Sequence, residues 1–172
     1  IQHAGVEPDI MVMAKGIANG WPVGATITTD EIAHAWQGKT ISTFGGNPVS
    51  MAALCATQDV LRDEAAPINA QERGAQLTAG LLSIQSRHSW IGDVRGMGLM
   101  QGIEIVGHPE TKEPDKDRTD RLMEATRGEG VLVGQGGLHG TVVRIGPSLL
   151  ITEEEMSEGI DKFGAACDRV GG

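Results

Sequence analysis

Apolar residues follow two rhythms along this chain, and their alternation lays out its elements. Residues 10–13 form a short continuous apolar run that reads as a fully buried strand. Residues 23–28 alternate and are rich in β-branched side chains, which predicts a second strand paired close by, with Lys15 on the connection. Thr28 with Glu31 fits a capping box for a short helix over 31–37, stopped by Gly38. Asn47 as N-cap and Pro48 as first helical residue predict a helix to about Arg62. After a break at 65–68, Ala70, Arg73, Leu77, Leu81 and Ile84 stand close to helical spacing, so a longer helix over 69–86 is expected to link two structural units.

Beyond residue 88 the texture changes. Residues 94–98 read as a glycine-punctuated turn, and 99–106 as a strand whose Gln101, Ile103 and Ile105 share one face. The polar stretch 107–117 is expected to be an exposed loop, followed by a helix over 118–127 and a strand over 131–133. A glycine-rich loop, 134–140, then leads to a β-branched strand over 141–145. Thr152 and Glu155 form a second capping box, and Met156, Ile160, Phe163, Cys167 and Val170 make the apolar stripe of a closing helix. The fold class is α/β, divided at 1–64, a linking helix over 65–88, and a small α+β unit over 89–172.

Composition adds limits. The 172 residues are 40% hydrophobic, enough for a packed core, but aromatics are 3% and Tyr is absent, so that core is aliphatic. A net charge of −9 disfavours a broad electrostatic footprint for nucleic acid or anionic membrane. No apolar run approaches the ~20 residues of a membrane span and no signal-peptide pattern opens the chain, so a cytoplasmic protein is expected. The chain starts on Ile1 and reaches a core strand within about ten residues, which reads as the back part of a longer protein. Cys55 and Cys167 fall on apolar helix faces far apart and are expected to be buried free thiols.

Three groups carry candidate chemistry. A lysine at a strand end, Lys15, suits Schiff-base chemistry if burial depresses its pKa; alternatively its stem lies on apolar surface and its head reaches water. Ser42, Thr43 and two glycines precede the helix at Pro48, a donor-rich stretch able to approach a phosphate or carboxylate, or an ordinary loop and cap. Arg144, on a β-branched strand before a Gly-Pro turn, offers a bidentate fork to a carboxylate or pairs with a local acid. Together they are the inventory for pyridoxal phosphate acting on an amino acid. Other chemistries lack support. Gly38-Lys39-Thr40 would need a glycine at Ala33 to make a P-loop, and His139 breaks a G-x-G-x-x-G reading of 134–140. The five histidines are scattered, which gives no metal motif, and there is no G-x-S-x-G elbow.

The run PDIMVMAKGIANGWPVGA resembles the active-site lysine segment of class III aminotransferases, the ω-aminotransferase group of fold type I pyridoxal phosphate enzymes. STFGGNPVSMAAL, VRGMGLMQGIE and VRIGPSLLITEEE are similar to three further segments of that family, in the family's order. MAKGIANGWP with VLVGQGGLHGTVVRIGPSLLIT looks most like the alanine–glyoxylate and 3-aminoisobutyrate–pyruvate branch. The resemblance implies the end of a large cofactor domain followed by a small C-terminal domain. It implies that Lys15 holds pyridoxal 5′-phosphate as a Schiff base and shuttles the proton, and that Thr43, with Ser42 beside it, contacts the phosphate of the cofactor in the partner subunit of a homodimer. Arg144 would bind the substrate carboxylate, with an amino donor and a keto acid reacting in two half-reactions. The family's aspartate for the pyridine nitrogen, its first phosphate loop and its ring-stacking aromatic lie upstream of the lysine. These 172 residues alone are therefore expected to bind cofactor poorly and turn over negligibly. The competing readings are acetylornithine or 4-aminobutyrate type substrates, a decarboxylase or aminomutase on the same frame, and a non-catalytic dimerisation or regulatory fragment.

Overall fold

The computed structural model describes residues 1–171 and divides into two compact units, Ile1–Ala65 and Ala66–Gly172. In the first, β1 (Ile10–Met13) pairs antiparallel with β2 (Ala25–Thr28), Ile10 facing Thr28 and Met13 facing Ala25. A 3-10 turn, Lys15–Ala18, lies on the connection as expected. Helix α1 (Asp30–Ala35) is capped by Thr29, whose hydroxyl accepts from the Ile32 N–H at 3.4 Å. The expected cap, Thr28, is still in the β2 ladder, and its hydroxyl donates to the Asp9 carbonyl instead. Helix α2 (Pro48–Asp63) starts as predicted, with the Asn47 side chain accepting from the Ser50 N–H at 2.9 Å.

Two expectations of burial fail here. Ile10 and Val12 are 52% and 74% exposed, because β1 has only β2 beside it and no layer of the described unit covers its outer face. Cys55 on α2 is exposed for the same lack of an opposing layer.

The second unit holds the core. Helix α3 (Ala66–Gln85) begins three residues earlier than predicted, since Pro67 is tolerated in a first helical turn. The helix packs against α5 (Glu153–Gly171) and β3 (Ile91–Met97). Strands β3, β4 (Met100–Ile105), β6 (Val142–Ile145) and β5 (Gly134–Gly136) form an antiparallel sheet in that order, and α4 (Lys116–Gly128) lies between β4 and β5 in sequence. Leu77, Leu81 and Ile84 of α3, Ile103, Ile105 and Val143 of the sheet, Leu122 of α4, and Met156, Phe163 and Cys167 of α5 pack into one hydrophobic cluster, aliphatic apart from Phe163 and Trp90. Gln101, Ile103 and Ile105 share the buried face, as the alternation indicated. The second capping box also forms: the Glu155 N–H donates to the Thr152 hydroxyl at 3.1 Å and the Thr152 N–H to the Glu155 carboxylate at 3.0 Å.

The glycines mislead the eye twice. Residues 94–98, read as a turn, are mostly β3, and the reversal is confined to Gly98 and Leu99, with Gly98 at φ 54°. Residues 131–133, read as a strand, are irregular, and the ladder to β6 is made by Gly134–Gly136 instead. The Val131 N–H is already used by the Thr126 carbonyl at the end of α4, so pairing begins only once the chain has left that helix.

Candidate functional site

Lys15 is held by its backbone. Ala14 is extended at φ −160°, and Lys15 turns into the left-handed region at φ 58°. For a side chain with a Cβ that conformation costs about 1–2 kcal/mol, and such residues concentrate where function fixes them. The turn is fastened at its far end: Asn19, also left-handed, donates its N–H to the Gly16 carbonyl, Ala18 is fully buried, and the Gln58 side chain of α2 donates to the Ile17 carbonyl at 3.1 Å. Lys15 itself is exposed and makes no hydrogen bond or ion pair among the described residues. Burial therefore does not prepare this amine in the unit described; what the unit supplies is a fixed position and open space, since a Cβ at Gly16 or Gly20 would meet nothing within 4 Å.

Ser42 and Thr43 enter the same helix from its N-terminal side. The Gly45 N–H donates to both the Ser42 hydroxyl (3.1 Å) and the Ser42 carbonyl (3.3 Å), closing a turn. Only glycine suits that closure, because a Cβ at Gly45 would lie 2.8 Å from the Ser42 Cβ. The Asn47 amide then donates to the Phe44 carbonyl at 2.9 Å. The Ser42 hydroxyl oxygen is thus engaged in holding the loop, while the exposed Thr43 hydroxyl has no partner among the described residues.

Arg144 stands on β6 in the second unit. The register sets Arg95, Gly102, Arg144 and Gly134 in one row across the exposed face of the sheet. The two arginines of that row differ. Arg95 donates to Glu104 at 2.7 Å and to Asp93 at 2.8 Å, and these carboxylates, Glu104 first, raise its pKa further. Arg144 has no carboxylate partner among the described residues, so the local pairing left open by its sequence context is absent. The sequence pattern missed this contrast and the left-handed lysine; a period-2 placement of Gly134 and Gly136 beside a β-branched strand was the one available signal.

Residues 1–167 match a known family model, Aminotransferase class-III. The chain belongs to the class III aminotransferases. It is 43% identical over 151 residues to alanine–glyoxylate aminotransferase 2 homologue 2 of Arabidopsis thaliana, a mitochondrial protein, covering 87% of this chain and 32% of that one. An amine transaminase from an uncultivated Pseudomonas species, solved in its PLP-bound internal aldimine form, superposes with a TM-score of 0.89 at 34% identity, over 99% of this chain and 40% of that one. A phospholyase from Arthrobacter in complex with phosphoethanolamine gives a TM-score of 0.92 at 31% identity, covering 97% and 40%. The chain thus spans about a third of the length of the curated relatives it matches. Pyridoxal 5′-phosphate is the cofactor of this family, and the α/β fold is that of its fold type I transaminases. No described helix is long and apolar enough to cross a membrane.

Proposed function

We propose that this chain is the C-terminal part of a pyridoxal phosphate dependent aminotransferase, moving an amino group from an amino acid or ω-amino acid to a keto acid of the pyruvate or glyoxylate type. The observation that carries the reading is Lys15: an exposed amine without a partner among the described residues, held at φ 58° in the segment that resembles the family's active-site lysine segment. The donor set fits the cofactor, with a free amine for its aldehyde and the Thr43 hydroxyl and glycine-rich turn for its phosphate. When bound, the cofactor supplies an electron sink for the substrate carbon.

Each residue then has a bounded task. The Lys15 Nζ holds the cofactor in the resting enzyme and, once released, carries the proton to and from the substrate carbon; its strained backbone limits where that amine can travel. Thr43 donates to the phosphate of a cofactor in a partner subunit, and Ser42, whose oxygen accepts from Gly45, retains its own O–H to donate. Arg144 takes the substrate carboxylate on its open fork. Residues 1–64 are assigned to the end of the large cofactor domain, 65–88 to a linking helix and 89–172 to the small domain, in a cytoplasmic homodimer.

Borohydride reduction of the full-length holoenzyme followed by peptide mapping tests this reading. A cofactor adduct on Lys15 is expected; an adduct on another residue, or none, overturns it. The phospholyase likeness gives a second reading, elimination from a phosphorylated amine on the same frame. Transfer of labelled nitrogen from alanine to glyoxylate favours the transaminase, and phosphate release from phosphoethanolamine without nitrogen transfer favours the lyase.

A further inference from the structure

We propose that Gly134 and Gly136 are positioning residues for Arg144: their missing side chains leave a bed on β5 that seats the guanidinium for a carboxylate. This rests on the reading that Arg144 binds the substrate carboxylate. Gly134 faces Arg144 directly, and Gly136 faces Val142, so all four residues share one face of the β5–β6 pair. A Cβ on Gly136 would stand 3.1 Å from Arg144 Nε and 3.3 Å from its Cδ. One on Gly134 would stand 3.4 Å from Nη2 and 3.5 Å from Nε. The arginine therefore lies along β5 rather than over β4, where the nearest atoms to a Cβ on Gly102 belong to Val142 and Arg95.

Backbone conformation does not explain these two glycines. Gly137 and Gly140 need their φ of 81° and 67°, whereas Gly134 and Gly136 are outside the positive-φ region. Glycine inside a strand weakens it and commonly marks close approach by another group. Here the approaching group is the Arg144 side chain. The bed is fixed from its other face, where the Gln135 amide donates to the Asp120 carboxylate at 2.9 Å and to the Gly140 carbonyl at 2.8 Å.

The arrangement has a chemical consequence. Arg95 is oriented by two carboxylates that also occupy its donors. Arg144 meets no carboxylate among the described residues and lies against bare backbone, so there its fork is placed by shape and left open.

The test compares full-length holoenzymes carrying Gly136→Ala, Gly134→Ala, Arg144→Lys and, as a control in open space, Gly128→Ala. The KM for L-alanine and the inhibition constant of propionate, a carboxylate with no amine to react, are both expected to rise about tenfold in Gly136→Ala and about threefold in Gly134→Ala. The kcat stays within about twofold, because the lysine and its cofactor are untouched. Unchanged constants in Gly136→Ala alongside raised ones in Arg144→Lys overturn the glycine bed alone. Unchanged constants in Arg144→Lys overturn the carboxylate reading of Arg144. A fall in kcat with unchanged KM in Gly136→Ala also overturns the bed. If Gly136→Ala does not accumulate as folded protein, Gly134→Ala decides by the same two constants.

Discussion

The Cys167 thiol is fully buried on α5, and burial, then the neighbouring Asp168 carboxylate, pushes its pKa up to about 12. Its reactivity should follow. In the native 172-residue chain a thiol reagent is expected to label Cys55 and to reach Cys167 only after denaturant is added, which mass mapping resolves. The same shift makes stability depend on pH. Below the ordinary value of 9.0 the thiol keeps its proton in both states and contributes no slope. Above it the unfolded chain loses the proton first, so unfolding becomes easier by up to about 1.4 kcal/mol per pH unit until the folded thiol also ionises. Cys167→Ala should remove that slope from denaturation midpoints measured between about pH 8.5 and 10.5. Both residues were legible as free thiols, but exposure was not, since an apolar helix face tells only that a partner is wanted.

Among the elements, α3 and the β3–β4 hairpin meet at two glycines. A Cβ on Gly74 would lie 2.4 Å from the Gly98 backbone, so the helix rests directly on the turn. Alanine is the better helix former by about 1 kcal/mol, yet overpacking of this kind costs about 1–3 kcal/mol or more, and backbone cannot move aside as a side chain does. Gly74→Ala is expected to destabilise the second unit by about 2 kcal/mol, read as a lowered denaturant midpoint with unchanged slope. Elements with caps and long apolar stripes were legible: Asn47 with Pro48 placed α2, and Thr152 with Glu155 placed α5. The glycine strands were not, because β3 and β5 owe their pairing to partners distant in sequence rather than to local propensity. The candidate residues followed the same division: Lys15, Thr43 and Arg144 were singled out as candidates from their motifs, whereas the left-handed turn at Lys15 and the closeness of Gly134 and Gly136 to Arg144 show only once strands are in register.

For the whole molecule, burial is unequal. Among the described residues the first unit buries only Ala18 and Ser50, while the second contains the entire hydrophobic cluster. Hydrogen exchange on this chain is expected to show amides of β4 and β6 exchanging at least about a hundredfold more slowly than those of β1 and β2. Equal protection in the two units would contradict that order. Among the described residues the sheet of the second unit has two unpaired borders. At one, β3 is broken by a bulge at Gly92, whose carbonyl takes the Lys112 ammonium at 2.7 Å. At the other, β5 is three residues long. A border that short offers a passing extended chain too few unpaired amides and carbonyls to template a fifth strand. The same brevity and bareness that seat an arginine thus double as protection against self-association along that margin, without any charged guard residue on the strand itself.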